Sequence, residues 1–501
     1  MYQKNIIIFM VLLLGFVLNM VSVQIVGSSF KYLQAELNAS VDQISYVMSA
    51  SLIAEVIIIP FSGWLARLLS ARYLFLISLG GFLLASLGCG FSNNFFSMII
   101  FRGLQGFFGG AMLPLMVTSI YSLFKPKDVP FILSIAATLG VSSVALGPVL
   151  GGFLTEYINW RWMFLYNIPI GILIFALGYV FIDLTKKEKQ LLKKIDYQGI
   201  IYLAISLISL LLFIEEGERR DWFDSKLIFL SFCSFLIFTS AFILRELSIK
   251  YPIINLEIFY DKNFTIGCIG VIVFAITLYV PIFLIPIFLG AMRLIDPLDI
   301  GLVISCMGIA MMLAGPLVGR ILKMYGVKLV VIIGCCITGM GTYLQSNLTS
   351  EFIINNLFLS QVLKGVGTQF LWMGSQYVSL ANIRSKEINN ASAMFNLILR
   401  LVAAISIALS SNYLTKWKTE FFSQILENYD NKNYNLFGNQ FNSFNFSEGE
   451  FNKYSEFFFY TSEREGLVMA FNKISFLSTW TVIIPLILIF CIKTRKSTYL
   501  F

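Results

Sequence analysis

Apolar runs of about 20 residues recur along the whole chain, separated by short polar segments. A helix of that length spans the roughly 30 Å hydrocarbon core of a bilayer. The pattern therefore predicts fourteen membrane-spanning helices. They cover approximately residues 5–27, 43–62, 74–92, 96–123, 131–154, 163–183, 198–215, 227–244, 264–290, 300–319, 327–347, 352–380, 391–413 and 474–492.

The predicted spans fall into groups of six, two and six. We predict an N-terminal six-helix bundle over 1–183, two central helices with cytoplasmic linkers over 184–262, and a C-terminal six-helix bundle over 263–501. The two outer groups show a weak internal repeat. "GWLARLLSAR" (63–72) follows the second span of the first group, and "GPLVGRILKMYGVK" (315–328) follows the second span of the last group. Such repeats are typical of secondary transporters, in which two bundles enclose a path.

Composition and charge agree with a membrane location. Of the 501 residues, 57% are hydrophobic and 13% are charged, whereas soluble domains carry about 25% charged residues. The sequence thus predicts an all-α polytopic membrane protein. Lys and Arg are concentrated in the segments that share a side with the N-terminus, which places both termini in the cytoplasm. The net charge of +8 is therefore a topology signal, and we infer no nucleic-acid partner from it.

The residue types present narrow the possible chemistry. The chain has no histidine, and its seven cysteines all lie in predicted spans. We therefore predict neither a metal site nor a disulfide framework. No nucleophile–base pair is evident, which argues against an enzyme. A group that handles protons near neutral pH then has to be a carboxylate.

Ionisable side chains inside a membrane cost about 2.5–3.5 kcal/mol and are candidates for function. Glu55 lies about seven residues, or roughly 10 Å, from the inner end of the second span, and we interpret it as a proton carrier rather than a structural carboxyl group. Arg102 and Gln105 share one helical face. They either stabilise an anionic group or, as a structural alternative, bind backbone carbonyls of neighbouring helices.

Other polar residues in the spans are candidates for lining a central cavity. Asn19 and Gln24 lie in the first span and Lys364 lies in the twelfth. The alternative is that they join helices to one another, as polar side chains in membrane helices often do. For Arg400, in the thirteenth span, we prefer the structural role.

The stretch "LGPVLGG" (146–152) interrupts the fifth span with residues that weaken a helix. Pro148 frees the carbonyl of Val144, four residues earlier. Gly140, Gly147 and Gly151 belong to a stripe of small residues that lets another helix approach closely. Spacing alone predicts a kinked packing helix.

Taken in order, these motifs resemble the major facilitator superfamily, and more narrowly its fourteen-span drug:proton antiporters of the EmrB/QacA type. "RGLQGFFGG" (102–110) matches the family's fourth-span pattern, and "LGVSSVALGPVLGG" (139–152) matches its fifth-span antiporter pattern. The resemblance implies alternating access between two bundles. It also implies export of amphipathic compounds driven by the proton gradient, with no cofactor.

The resemblance assigns roles residue by residue. Arg102 and Gln105 would belong to a fourth-span site linked to proton coupling. The antiporter helix contact, which we interpret as a seal on the outer side, would comprise Gly140, Gly147, Pro148, Gly151 and Gly152. The cytoplasmic gating loop would contain Gly63, Arg67 and Arg72.

Three positions depart from the family pattern. Asn19, in "LNMVSVQ" (18–24), stands where an aspartate is expected. We hypothesise that Glu55 takes over its role, because Glu55 is the only acidic residue deep in the first bundle. Arg67 replaces an aspartate of many relatives, and alanines at 403 and 404 replace small glycines.

The favoured function is proton-coupled export of hydrophobic or amphipathic small molecules across the bacterial cytoplasmic membrane. One alternative is a dedicated exporter of an endogenous metabolite such as a siderophore. Another is a membrane receptor or scaffold that has lost proton coupling, which the missing aspartate at Asn19 would allow.

Residues 414–473 are predicted to form a long outer loop, rich in Asn and Phe. It is either an unstructured insertion, which we favour slightly for 428–447, or a docking surface. The resemblance implies a periplasmic adaptor protein as partner in double-membraned bacteria.

Overall fold

The computed structural model describes residues 2–40, 43–125, 128–183, 196–249, 256–293, 295–349, 354–383, 388–433 and 448–491. Within these residues all regular structure is helical. The helices are α1 (Tyr2–Gln24), α2 (Phe30–Leu37), α3 (Ser45–Leu69), α4 (Ala71–Gly90), α5 (Phe95–Gly110), α6 (Met112–Leu123), α7 (Val129–Tyr157), α8 (Trp162–Leu165), α9 (Asn167–Phe181), α10 (Tyr197–Gly217), α11 (Lys226–Ser248), α12 (Lys262–Arg293), α13 (Pro297–Tyr325), α14 (Val327–Gln345), α15 (Ile354–Leu380), α16 (Ile388–Asn433), α17 (Glu448–Thr481) and α18 (Ile483–Leu488).

Twelve helices in the described part of the chain are long and apolar enough to cross a membrane. The prediction of an all-α polytopic membrane protein is therefore confirmed. α3 and α15 coincide with the second and twelfth predicted spans but are not among the twelve. The apolar part of α3 is the shorter Tyr46–Ser62, and α15 is interrupted by polar residues such as Lys364. The count of fourteen spans is thus not confirmed.

The fourth predicted span consists of two helices rather than one. α5 ends at Gly110, α6 begins at Met112, and Ala111 joins them. Pro114 lacks the N–H group that would bind the carbonyl of Gly110, which accounts for the break. In contrast, α7 stays helical through Pro148. Pro148 therefore does not end α7, and the kink stays a prediction.

Two equivalent helix pairs are joined by a single residue. Ser70 (φ 80°, ψ 153°) connects α3 to α4, and Gly326 (φ 83°, ψ 173°) connects α13 to α14. The shared conformation supports the internal repeat. The prediction of a gating loop over 63–72 is wrong as to its structure, since Gly63 and Arg67 belong to α3 and Arg72 to α4. One residue with positive φ is enough to reverse the chain there.

The segment predicted as a long outer loop is mostly helical. α16 runs unbroken for 46 residues, past the end of the thirteenth predicted span and through Asn433, and α17 returns from Glu448. The two helices pack along each other, with Lys418 Nζ 2.6 Å from a carboxylate oxygen of Glu463. Lys473 Nζ lies 4.2 Å from the ring centroid of Trp417. The loop prediction is therefore wrong for 414–433 and 448–473, which form the two helices of a hairpin, whereas 434–447 lies outside the described residues.

The two central helices lie between the predicted bundles. α10 packs against α11 and also against α3 and α16, one helix from each outer group. The division at 184 and 262 remains a prediction. The basic linker 184–195, the stretch 434–447 and residues 492–501, which include basic residues used to orient the chain, lie outside the described residues.

Candidate functional site

A buried ion pair joins the two halves of the molecule. Arg400 Nε on α16 lies 3.1 Å from Glu55 Oε2 on α3, and both side chains are almost fully inaccessible. Two charges removed from water are tolerated when they neutralise each other. Glu55 was singled out from the sequence as a functional group. Its pairing places Arg400, for which a structural role is preferred, in the same site.

Three further side chains complete this site. Asn19 Nδ2 on α1 donates a hydrogen bond of 3.0 Å to Glu55 Oε1. On the other side, Arg400 Nη1 donates to the Tyr279 hydroxyl of α12 at 3.0 Å, and its Nη2 lies 2.8 Å from the sulfur of Met20. The site thus combines α1 and α3 of the first half with α12 and α16 of the second.

The glycines of the RGLQGFFGG motif make room for the acid and the amide. A methyl group on Gly109 would overlap the side-chain amide of Asn19. A methyl group on Gly110 would lie 2.9 Å from the Cα atom of Glu55. Because α5 lacks side chains here, α1 and α3 can bring Asn19 and Glu55 together beside it.

Arg102 of the same motif is buried but lies in a different set of contacts. Its Nε donates to the carbonyl of Val47 at 2.7 Å, and its Nη1 and Nη2 donate to the Ser22 carbonyl and the Ser51 hydroxyl at 3.3 and 3.1 Å. Nη1 also donates to Gln105 Oε1 at 2.6 Å. These contacts match the structural alternative, in which the arginine binds neighbouring helices.

Gln105 extends this network to two more helices. Its Nε2 donates to the hydroxyls of Ser22 and Ser86 at 3.0 and 2.8 Å. The Asn167 amide lies 3.3 Å from each of the same two hydroxyl oxygens. The network therefore joins α1, α3, α4, α5 and α9 and fixes the helices that carry Asn19 and Glu55.

The fifth-span motif brings α7 into close contact with α1 of its own half and with α13 of the second half. Methyl groups on Gly140 and Gly147 would lie 3.2 Å from the Phe16 ring and 2.7 Å from Gln24 Cβ, both on α1. A methyl group on Gly151 would overlap the carbonyl of Ile25. Gln24, a predicted cavity residue, therefore lies in the α1–α7 contact, with its Cβ directly beside Gly147.

The other face of α7 meets the second half. A methyl group on Gly152 would overlap the carbonyl of Pro297, and one on Gly301 would overlap the carbonyl of Pro148. Both contacts lie where α7 ends and α13 begins. We call this the distal end, because it is the end at which α1 finishes, away from the chain's N-terminus. The two halves are in close contact there.

Two other sequence candidates lie apart from this site. Lys364 is buried on α15, and its ammonium group donates to the Oε1 atom of Gln345 on α14. Arg72, at the start of α4, donates from Nη2 to the Tyr179 carbonyl at 2.5 Å and lies 5.0 Å from that ring's centroid. No contact among the described residues joins either side chain to Glu55.

An apolar cleft of about 450 Å³ opens between α1, α7 and α9. Its size falls in the range of about 300–1,000 Å³ that small-molecule sites occupy. The lining residues include Leu14, Val21, Phe153, Tyr166 and Ile170. Several are strongly exposed, such as Phe153 at 46%, so the cleft faces the surroundings of the helices rather than the interior.

Comparison with known proteins supports a transporter. The model of the Major Facilitator Superfamily matches residues 12–258 and 267–425. The colistin resistance protein EmrB of Acinetobacter baumannii is 32% identical over 82% of this chain and 80% of its own length. The multidrug export protein EmrB of Haemophilus influenzae is 24% identical over 92% of this chain and 91% of its own.

The fold agrees with these relatives. The crystal structure of the nucleoside transporter NupG superposes with a TM-score of 0.58 and 15% identity, covering 98% of this chain and 100% of the other. At that identity the likeness shows the fold alone. Together, the family match and the relatives show that this chain is a transporter of the Major Facilitator Superfamily, related to the EmrB-type multidrug exporters.

Proposed function

We propose that this protein exports hydrophobic or amphipathic small molecules by alternating access, in exchange for protons. The observation that carries the proposal is the Glu55–Arg400 ion pair. It is a titratable contact between the two halves of the molecule, at a distance of 3.1 Å. A proton that neutralises Glu55 would act directly on the interface that has to move.

The coupling follows from the cost of an unpaired buried charge. Removing one partner of a buried ion pair costs about 3–5 kcal/mol. When a proton binds the Glu55 carboxylate, Arg400 loses its counter-charge, and the arrangement with α3 against α16 loses this stabilisation. Arg400 then favours a state in which water reaches it. When Glu55 releases the proton on the other side of the membrane, the ion pair forms again.

The position of Asn19 supports Glu55 as the coupling acid. The resemblance to EmrB-type antiporters implies an aspartate in the first span where this chain has Asn19. The Glu55 carboxylate lies 3.0 Å from the Asn19 amide, so a carboxylate occupies nearly the expected place although it comes from the second span. This argues against a scaffold that has lost coupling.

The apolar cleft between α1, α7 and α9 supports a hydrophobic substrate. It has few polar atoms and faces the surroundings of the helices, so a compound dissolved in the membrane could reach it sideways. The names of the A. baumannii and H. influenzae relatives, colistin resistance and multidrug export, point to the same substrate class.

We further propose fourteen spans in the bacterial cytoplasmic membrane, with α3 and α15 as the two beyond the twelve. Both termini would lie in the cytoplasm, so the distal end would be the outer one. The α16–α17 hairpin would then extend outside the membrane as the contact for a periplasmic adaptor protein. The proton gradient would be the energy source, with no cofactor.

Reconstituted protein tests this proposal. Proteoliposomes would contain a pH indicator, and a pH gradient would be imposed across their membrane. A cationic fluorescent dye would serve as the substrate. We expect dye-induced proton flux with the unaltered protein, and its loss in Glu55→Gln and Arg400→Gln. Glu36→Gln is the control, because Glu36 is exposed. Full coupled flux in Glu55→Gln would contradict the proposal.

A further inference from the structure

A second buried carboxylate contacts α3, the helix that carries Glu55. Glu215, near the end of α10, is 2% exposed. Its Oε2 accepts a hydrogen bond of 2.6 Å from the Ser45 hydroxyl, and its Oε1 accepts one of 2.5 Å from the Ser49 hydroxyl. Both serines belong to the first turns of α3, so the carboxylate ties α10 to α3 at the distal end.

α10 is held to the second half by different groups. The Asn412 amide of α16 donates to the backbone carbonyl of Ile214. Lys416, one turn further along α16, lies 3.3 Å from a carboxylate oxygen of Glu218. The end of α10 therefore bridges both halves, bound to α16 by an amide and a lysine and to α3 through acidic side chains.

Together with Glu55, this arrangement puts two buried carboxylates in contact with α3 or on it. Glu55 joins α3 to α16, and Glu215 joins α3 to α10. Six residues separate Ser49 from Glu55, which is about 9 Å along the helix. If the two halves part at the distal end, α3 has to leave both partners, so neutralising Glu55 alone is not sufficient.

We propose that Glu215 is a second proton-binding site of the transport cycle, and that its protonation releases α3 from α10 at the distal end. Hydrogen bonds to an ionised carboxylate are roughly twice as strong as bonds between neutral groups. A proton taken from water onto either oxygen removes the charge that both serine hydroxyls face. The two ties to α3 then weaken together, while the bonds from Asn412 and Lys416 are unchanged.

Other charged and titratable groups surround this position. The Tyr46 hydroxyl of α3 donates to Glu216 at 2.7 Å, and Glu216 also lies 3.6 and 2.7 Å from Arg219 and Arg220. Glu216 thus has two cationic partners that stay in place when protons bind Glu215. It provides a matched control on the same helix, because its bond to α3 comes from the Tyr46 hydroxyl rather than from Ser45 or Ser49. Glu218 and Lys416 form a further ion pair beside this position, at 3.3 Å.

This inference rests on the proposed function, but its test needs no transport. Hydrogen–deuterium exchange of the full-length protein in nanodiscs would be followed between pH 5 and pH 8, corrected for the intrinsic pH dependence of exchange. We expect the amides at the start of α3 to lose protection as the pH falls. In Glu215→Gln they should be unprotected throughout, whereas Glu216→Gln should follow the unaltered protein.

A second variant covers the case in which Glu215→Gln does not fold. The double variant Ser45→Ala and Ser49→Ala keeps the carboxylate and removes these two hydroxyl donors, and it should also abolish the pH response. An unaltered protein without any pH response, or a response retained in either variant, would overturn the proposal. Glu55→Gln should keep the response while losing coupled flux, which separates failure of this inference from failure of the proposed function.

Discussion

The side chain of Asn19 fills the space that a Cβ atom on Gly109 would occupy. Asn19 in turn holds the Glu55 carboxylate. The geometry of the ion-pair site therefore requires a glycine at 109, although glycine has no side chain that could contact Glu55 or Arg400.

We expect Gly109→Ala to abolish coupled transport, because the added methyl group would displace Asn19 from Glu55. Gly103→Ala on the same helix is the matched control, since nothing lies within 4 Å of the position that its Cβ would take. It should leave transport intact and gain about 0.5–1 kcal/mol of stability from the loss of a helical glycine. The measurement is dye-induced proton flux together with thermal unfolding. Equal flux in both variants would show that the Asn19 contact is dispensable.

The coupling carboxylate should also function when it is placed on α1 instead of α3. Because the Asn19 amide and the Glu55 carboxylate lie 3.0 Å apart, an aspartate at 19 would place its charge close to that of Glu55. We expect the double variant Asn19→Asp and Glu55→Gln to recover proton flux that Glu55→Gln alone has lost. A folded double variant that stays uncoupled would mean that the coupling carboxylate must lie on α3.

The seal between the halves is expected to depend on Gly152 more than on Gly147. A valine at 152 would collide with the Pro297 carbonyl and with Leu298 Cα, at 2.7 Å, on α13. We therefore expect Gly152→Val to raise passive proton leak into liposomes. Gly147→Val should impair the α1–α7 contact within one half, without leak. As a control, Gly319→Val on α13 meets nothing within 4 Å. A tight Gly152→Val protein would contradict a sealing role for this motif.

Ser70 should be a site of stored strain. Its φ of 80° is a conformation that costs a non-glycine residue about 1–3 kcal/mol, and its buried hydroxyl has no hydrogen-bond partner among the described residues. We expect Ser70→Gly to stabilise the protein by about 1 kcal/mol, offset in part by the entropy of the added glycine. Gly326→Ser should destabilise it, since Gly326 has the same backbone conformation. Thermal unfolding in detergent would measure both, and a lower midpoint for Ser70→Gly would refute the idea.

The sequence was sufficient to predict an all-helical membrane protein and half of the site. An acid inside an apolar run is visible without any structure, so Glu55 stands out, and the motif around Asn19 marks a departure from the family pattern. Arg400 was visible too, but its pairing with Glu55 was not. Which side chains meet across the two halves depends on the rotation and depth of each helix, and neither is encoded by hydrophobic period.

Tyr279 and Glu215 carried no usable signal. Tyr279 lies in an unbroken apolar run, and Glu215 sits at the end of a span, where an acid is normally taken as a boundary residue. The hairpin was missed for a related reason. Its Asn- and Phe-rich sequence suggests a loop, and only the pairing of α16 with α17 accounts for residues such as Trp417 and Lys473.

The unbroken course of α16 gives the ion pair mechanical reach. Arg400 and Glu427 belong to one continuous helix, and 27 residues at 1.5 Å each separate them by about 40 Å. A tilt of about 10° around Arg400 would move Glu427 by roughly 7 Å, by the same helix geometry. If α16 moves as one body, a change at the Glu55–Arg400 pair is expected to displace this helix as far as Glu427.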